Sequence, residues 1–466
     1  VNLTHIHSVY LIGIGGIGMS ALARWFKQNN YNVGGYDKTS SDLTKALEAE
    51  GMAVHYTDSM AEVPEAFTKK DSVLVIYTPA IPADHLELNF FRENGYALYK
   101  RSQVLGFLTK ELKTIGIAGT HGKTTTSSMA AHIMHESGMP CSAFLGGITQ
   151  NYNTNILIGN HGDGAGWVVA EADEYDRSFL QLSPDIAVIN NMDPDHLDIY
   201  SDVQSFYDSF NEYLKKLKPG GIVIRRVDVD VQIPSHASLS VTFGESVEAD
   251  YRIQNVVVED GGVTFSIDHD FTRWNNIRIE MPGMHNVMNA TAAFLAAHFA
   301  GVSIDSIKAS LRSFGGVKRR FEYIYKNTKL VYVDDYAHHP TELEALLKAV
   351  RMVFPGKKVV TVFQPHLFSR TRDFMQEFAQ SLALTDELLL MEIYPARELP
   401  IEGITSDVLL NLIPSTNKKV VSKESLLTEL EKLNFDVVIT AGAGDIDRFI
   451  QPIKLLCEQR YGKANG

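Results

Sequence analysis

Residues Gly116–Thr126, GIAGTHGKTTT, carry the second half of a phosphate-binding loop but not its first glycine. In the common pattern G-x-x-x-x-G-K-[ST] the leading glycine would fall at Ile117. Gly122, Lys123 and Thr124 are intact. An apolar run, TIGIA (Thr114–Ala118), precedes them and reads as a strand; a helix is expected over Thr124–Glu136. A strand, a glycine loop and a helix start in that order suit a nucleoside triphosphate. The N–H groups of Gly119, Thr120, His121 and Gly122 form a short cradle, Lys123 reaches the β and γ oxygens, and the Thr124 hydroxyl faces Mg2+. The bland alternative is a lysine-bearing helix cap.

A second glycine loop lies near the start of the sequence. GIGGIGMS places Gly13, Gly15 and Gly18 in the spacing G-x-G-x-x-G, after a strand over Val9–Ile14 and before a helix over Ser20–Gln28. Asp37 follows at the distance of the acidic residue in a dinucleotide fingerprint. The glycines let backbone approach a diphosphate, and the helix N-terminus adds free N–H groups. Alone, this motif suggests an NAD-dependent oxidoreductase, or a tight turn with no ligand. It indicates a diphosphate without saying which.

Phosphoryl transfer also needs ligands for a metal. AEADEYD (Ala170–Asp176) follows the strand GWVVA and puts Glu171 at a strand end. NNMDPDHLD (Asn190–Asp198) follows the strand IAVIN and sets His196 among Asp193, Asp195 and Asp198. Mg2+ prefers oxygen ligands, so an imidazole is a less usual member of such a set. Each cluster alone reads as a solvated acidic turn. Two of them, each ending a strand beyond a Gly-Lys-Thr loop, read as a site.

The 466 residues exceed one typical core and imply two or three domains. A net charge of −13 argues against nucleic acid as the main partner. Only Cys141 and Cys457 occur, which excludes a disulfide framework and points to the cytoplasm. The start, VNLTHIHSVYLIGIGG, has no basic n-region, and no apolar run is long enough for a bilayer, so neither signal peptide nor membrane insertion is expected. Strands alternate with helices in three stretches, which implies parallel sheets and an α/β fold. The third alternation runs through LVYVDD, KVVTVF, ELLLMEI and FDVVIT, and EDGG between Tyr251 and Ile267 signals a hairpin. The expected domains are 1–110, 111–317 and 318–466.

The order GIGGIGMS, GTHGKTTT, EADEYD, DHLD, PGMHNVMNA, RRFE, DDYAHHPTE and QPHLFSRTRD closely resembles the Mur ligases of peptidoglycan synthesis, over essentially the whole chain and within their alanine-adding branch. Those ligases share with folylpolyglutamate synthetases a short loop, G-T-x-G-K-[ST], so GTHGKTT is that form. The resemblance implies N- and C-terminal Rossmann-like domains flanking a central P-loop ATPase domain. It implies ATP-dependent, ADP-forming joining of L-alanine to the lactyl carboxylate of UDP-N-acetylmuramate through an acyl phosphate, by a monomer or homodimer. Gly13, Gly15, Gly16, Gly18, Met19, Ser20 and Asp37 would then bind the UDP-sugar. Gly119 through Thr125, with Asn289, Arg320 and Asp335, would surround ATP. Thr124, Glu171 and His196 match magnesium ligands. Arg370 and Arg372 of SRTR could grip the alanine carboxylate, or be ordinary surface arginines. His338 or His339 could take the proton of the amine, or one of them could only cap the helix starting at Pro340. Glu174-Tyr175-Asp176 departs from the E-S-D usual in alanine-adding ligases and is also the spelling of the murein tripeptide ligases. Leu367 stands where QPH often continues with arginine. No lysine occurs in FYDSFNEYL (Phe206–Leu214), where some Mur ligases carbamylate one.

Overall fold

A computed structural model describes residues 5–159, 166–194, 200, 202–396, 398–415 and 417–462. Three sheets follow one another along the chain, each flanked by helices. The first is built from β1 (Ser8–Ile12), β2 (Asn32–Tyr36), β3 (Ala53–His55), β4 (Val73–Tyr77) and β5 (Ala97–Lys100). All are parallel, in the order β3-β2-β1-β4-β5. The order reverses between β1 and β4, which opens a crevice at the C-terminal end of β1 where the first glycine loop begins. β1 is buried along its whole length, so SVYLI shows no alternation of apolar and polar residues. The helix Ile17–Gln28 buries Met19, Ala21, Leu22 and Phe26. Each large apolar side chain there contributes roughly 1.5–3 kcal/mol.

The second sheet is centred on β6 (Lys113–Ala118). Its strands are β7 (Cys141–Thr149), β8 (Thr154–Leu157), β9 (Trp167–Ala172), β10 (Ile186–Ile189), β11 (Ile222–Arg226) and β12 (Leu239–Gly244), in the order β12-β11-β10-β6-β9-β7-β8. Pairing is parallel except between β7 and β8. β6 thus has β10 on one side and β9 on the other. Ile117 pairs with Glu171 and Ala118 with Ile189, so the ends of all three strands meet around the loop that follows β6. Three strands, β13 (Tyr251–Glu259), β14 (Gly262–His269) and β15 (Thr272–Ile279), continue the order beyond β12.

The third sheet contains β16 (Glu322–Lys326), β17 (Val331–Asp335), β18 (Val359–Phe363), β19 (Glu387–Met391), β20 (Lys418–Val421) and β21 (Val437–Ala441), in the order β16-β17-β21-β18-β19-β20. Only β16 is antiparallel to its neighbour. The chain divides into two compact units. One holds residues to Gln254 with Ser266–Ile277 and Met288–Phe314; the other holds Asn255–Phe265, Arg278–Val287 and Gly315 onward. The first unit therefore carries the first sheet and the second sheet through β12, the second unit carries the third sheet, and the residues of β13–β15 are divided between the two. Within the first unit, Asn155 of β8 donates to Ser20 Oγ at 3.0 Å, and its carbonyl accepts from Arg24 Nη1 at 2.8 Å. No helix among the described residues is long and apolar enough to cross a membrane.

Candidate active site

The loop after β6 leads into the helix Lys123–Glu136, whose N-cap is Gly122 at φ +80°. That backbone conformation suits glycine, and a Cβ there would strike the Asn289 side chain. The loop is held from the side of β10. Asn191 brackets His121, accepting from its N–H at 2.8 Å and donating to its carbonyl at 3.1 Å. Thr120 Oγ1 donates to the Asp193 carbonyl at 2.7 Å. Asn190 Nδ2 donates to Thr126 Oγ1 at 2.9 Å, and that hydroxyl donates to Asn289 Oδ1 at 3.2 Å. Asn289, from the helix Met284–Phe299, is thereby placed against the loop. Thr125 is buried behind it.

Lys123 folds back over its own loop. Its Nζ donates to the carbonyls of Gly119 at 2.8 Å and Thr120 at 3.3 Å, and to Glu174 Oε2 at 2.7 Å. Burial alone would lower the ammonium, but Glu174, Asp173 and Glu171 together outweigh it and hold Lys123 above the ordinary lysine range. Burial pushes Glu174 up to about 7 against the opposing pull of Lys123, with Asp173 adding to the rise.

Thr124 and Glu171, expected as metal ligands, come together. Thr124 Oγ1 donates to Glu171 Oε2 at 3.2 Å, while Glu171 Oε1 accepts from Gly146 N–H at 2.6 Å and Ser127 Oγ at 3.2 Å. Burial raises the Glu171 carboxyl, opposed first by the Gly146 N–H and then by Lys123. A hydroxyl beside a carboxylate is an oxygen donor pair of the kind Mg2+ takes. His196 lies outside the described residues. No cluster of three His, Cys, Asp or Glu side chains suited to a metal occurs among the described residues.

In the first glycine loop, Gly15 N–H donates to Asp37 Oδ2 at 2.8 Å, and Asp37 Oδ1 accepts from Thr39 N–H at 3.1 Å. The acidic residue after β2 is thus turned back onto the loop. Gly13 N–H bonds the Tyr36 carbonyl at 2.7 Å, which ties the loop to the end of β2. Gly16 caps the helix Ile17–Gln28, and Met19 and Ser20 are buried in its first turn. A cavity of about 330 Å³ runs from Gly16 and Gly18 past Thr78 to Gly146, Glu171 and Asp173. The first glycine loop therefore shares one space with Glu171, the carboxylate that accepts from Thr124 of the second loop.

The remaining expected residues sit in the second unit. Asp335 ends β17 with its carboxylate spent on backbone: Oδ2 accepts from Phe321 N–H at 2.6 Å and Oδ1 from Ala337 N–H at 2.8 Å. Burial pushes it up to about 6, against Arg320 and those two N–H groups. The Arg320 guanidinium lies over the Tyr336 ring and 3.8 Å from Glu342. His339 caps the helix Pro340–Val353, its Nδ1 accepting from Thr341 N–H at 3.4 Å. His338 is the histidine not engaged in the cap. Its Nδ1 lies 2.9 Å from the Tyr336 carbonyl and 3.3 Å from Glu342. Burial lowers its pKa despite Glu342, and Arg370 adds to the fall, so the neutral imidazole is favoured. Arg370 is buried in the helix Phe368–Asp373, whereas Arg372 is exposed and paired with Asp373 at 2.7 Å.

Comparison with known proteins bears on the whole chain. The Mur ligase family, catalytic domain, matches residues 8–113; the Mur ligase middle domain matches 117–297; and the Mur ligase, glutamate ligase domain, matches 319–444. A UDP-N-acetylmuramate–L-alanine ligase from Flavobacterium johnsoniae is 46% identical over 98% of this chain and 100% of the relative. One from Porphyromonas gingivalis is 44% identical over 96% of this chain and 98% of the relative. The crystal structure of the UDP-N-acetylmuramate–alanine ligase of Thermotoga maritima superposes with a TM-score of 0.80 at 27% identity, covering 97% of this chain and 99% of that one. A murein peptide ligase from Psychrobacter arcticus shares the fold, with a TM-score of 0.67 at 22% identity over 99% of this chain and 100% of that one.

Proposed function

The chain belongs to the Mur ligase family, and we infer that it is the enzyme that joins L-alanine to the lactyl carboxylate of UDP-N-acetylmuramate in peptidoglycan synthesis, with ATP cleaved to ADP and phosphate. The observation that carries this reading is the cavity linking the first glycine loop to Glu171, beside the Gly-Lys-Thr loop. A diphosphate at one end and a carboxylate at the other is the layout of a UDP-sugar acid. We assign 1–110 to the UDP-sugar, 111–317 to ATP and 318–466 to the amino acid.

Amide formation in water needs an activated carboxylate. Transfer of the γ-phosphoryl group to the lactyl carboxylate brings two anions together, and Lys123 offsets that charge once it turns from Glu174 toward the phosphates. Thr124 and Glu171, with His196, would hold Mg2+, which supplies further charge neutralisation when bound. The acyl phosphate is then open to the alanine amine. His338, kept neutral by its surroundings, is suited to accept the amine proton. Arg370, being buried, is better placed than exposed Arg372 to grip the alanine carboxylate. We place the enzyme in the cytoplasm as a monomer or homodimer.

Phosphate release with UDP-N-acetylmuramate and a panel of amino acids, plus the murein tripeptide, tests the assignment. Release with L-alanine above all others supports it. Preference for the tripeptide, the alternative raised by the Glu174-Tyr175-Asp176 spelling, would replace it.

A further inference from the structure

Arg101 is the one cation among the described residues lining the cavity that the first glycine loop shares with Glu171. It opens the helix Arg101–Glu111 directly after β5, two strands from β1, and the chain turn there carries its side chain across the start of the helix Ile17–Gln28. Gly18 is what makes room for it. A Cβ on Gly18 would collide with the Arg101 guanidinium nitrogen and stand 3.0 Å from its Cζ and 3.1 Å from its Cδ. The third glycine of the fingerprint therefore serves as the seat of an arginine.

This placement is electrostatically unfavourable as it stands. A helix N-terminus carries a partial positive charge, and a cation laid on it is repelled unless an anion lies between them. No described residue pairs with the Arg101 side chain by ion pair or hydrogen bond. Arg24, on the same Ile17–Gln28 helix, is by contrast paired with Glu50 at 2.7 Å. Glu171 and Asp173 line the same cavity and repel an anion from their side of it. A ligand with concentrated negative charge is thus drawn to the Arg101 end.

We propose that Arg101 is a substrate-binding residue that grips the diphosphate of the UDP-sugar against the N-terminus of the Ile17–Gln28 helix, held there by the missing side chain of Gly18. The inference rests on the assignment of the first glycine loop to the UDP-sugar. The planar guanidinium fork can hold two phosphate oxygens at once, which an ammonium cannot.

The test measures binding of UDP and of uridine to the full chain by calorimetry, together with the KM for UDP-N-acetylmuramate. Arg101→Ala is expected to weaken UDP and raise that KM by roughly 10-fold or more, the scale of a lost charged hydrogen bond. Uridine affinity and the ATP KM are expected to stay as in the wild type. Arg101→Lys is expected to fall between the two, and Gly18→Ala, which keeps the arginine but displaces it, to reproduce the loss. An unchanged UDP affinity in Arg101→Ala overturns the proposal alone, and so does an equal loss of uridine binding. A wild-type chain that binds no UDP overturns the loop assignment and the proposal with it.

Discussion

Lys123 Nζ lies 2.7 Å from Oε2 of Glu174, a side chain that is only 1% exposed. The lysine we assign to phosphoryl transfer is therefore also the counter-ion of a buried carboxylate. Lys123→Ala should lower turnover by roughly 10²-fold or more. It should also cost about 3–5 kcal/mol of stability where Glu174 stays ionised, because breaking a buried pair strands the remaining charge. Burial already raises Glu174 from 4.5 to about 7. A group raised in the fold is most favourable below its unfolded pKa and loses that advantage as pH rises through the folded value. The stability deficit of the variant should thus widen as pH passes upward through 7. Adding Glu174→Gln should recover the stability without the turnover. Melting curves and phosphate release on the single and double variants decide this; a double variant no more stable than Lys123→Ala would refute the coupling.

The first loop gives a separable effect. A Cβ on Gly15 would come within 2.5 Å of Thr44 Cγ2 and 2.8 Å of Asp37 Oδ2. Gly15→Val should push Asp37 off the loop amide and weaken UDP-sugar binding, while ATP binding at the loop after β6 survives. Calorimetric titration with each ligand reads the difference. Equal loss of both would indicate misfolding.

The two arginines of SRTR should behave differently. Arg372 is more than half exposed and paired with its neighbour Asp373, so Arg372→Ala should leave the alanine KM within about two-fold of wild type. Arg370→Lys should raise it by tenfold or more, on the order of a lost bidentate contact, because lysine lacks the planar fork. Initial rates against L-alanine separate the cases. If Arg370→Lys keeps the wild-type KM, the carboxylate is held elsewhere in the second unit.

Asp335 provides a pH test in that unit. Its folded pKa of about 6 stands above the ordinary 3.8 because burial outweighs Arg320 and two backbone N–H groups. Its contribution to stability is full below about 3.8 and is lost as pH rises through about 6. Asp335→Asn does not titrate there. The stability of the wild type relative to this variant should therefore decline between about pH 4 and pH 6, measured by urea midpoints. A wild-type advantage that grows over this range would mean the amides hold the carboxyl ionised instead.

The elements themselves were largely legible. SVLVIY, TIGIA, IAVIN and LVYVDD are short apolar runs bounded by polar residues, and each is a buried strand with at least one parallel neighbour. The Gly-Lys-Thr loop was legible because its chemistry is local. β8 was not, since TNIL is too short to show a period and pairs only with β7. Local signals also could not reveal contacts across the chain. Nothing near Asn191 says that it brackets His121, and nothing near Gly146 or Ser127 says that both bind Glu171. The capping role fell to His339 because Pro340 begins its helix, a detail that Pro at a first helical position allows but does not assign between two adjacent histidines.

Asn155 has a consequence for engineering by recombination. Its side chain bonds Ser20 and Arg24, so a strand of the second sheet is fastened to the helix that follows the first glycine loop. The leading hundred-odd residues are consequently poor candidates for transplantation as a cassette. A chimera that takes them from a relative inherits a helix surface shaped for a different residue at the Asn155 position. Such hybrids should be assembled with the junction placed after β8, so that the helix and its fastening strand travel as one inherited block.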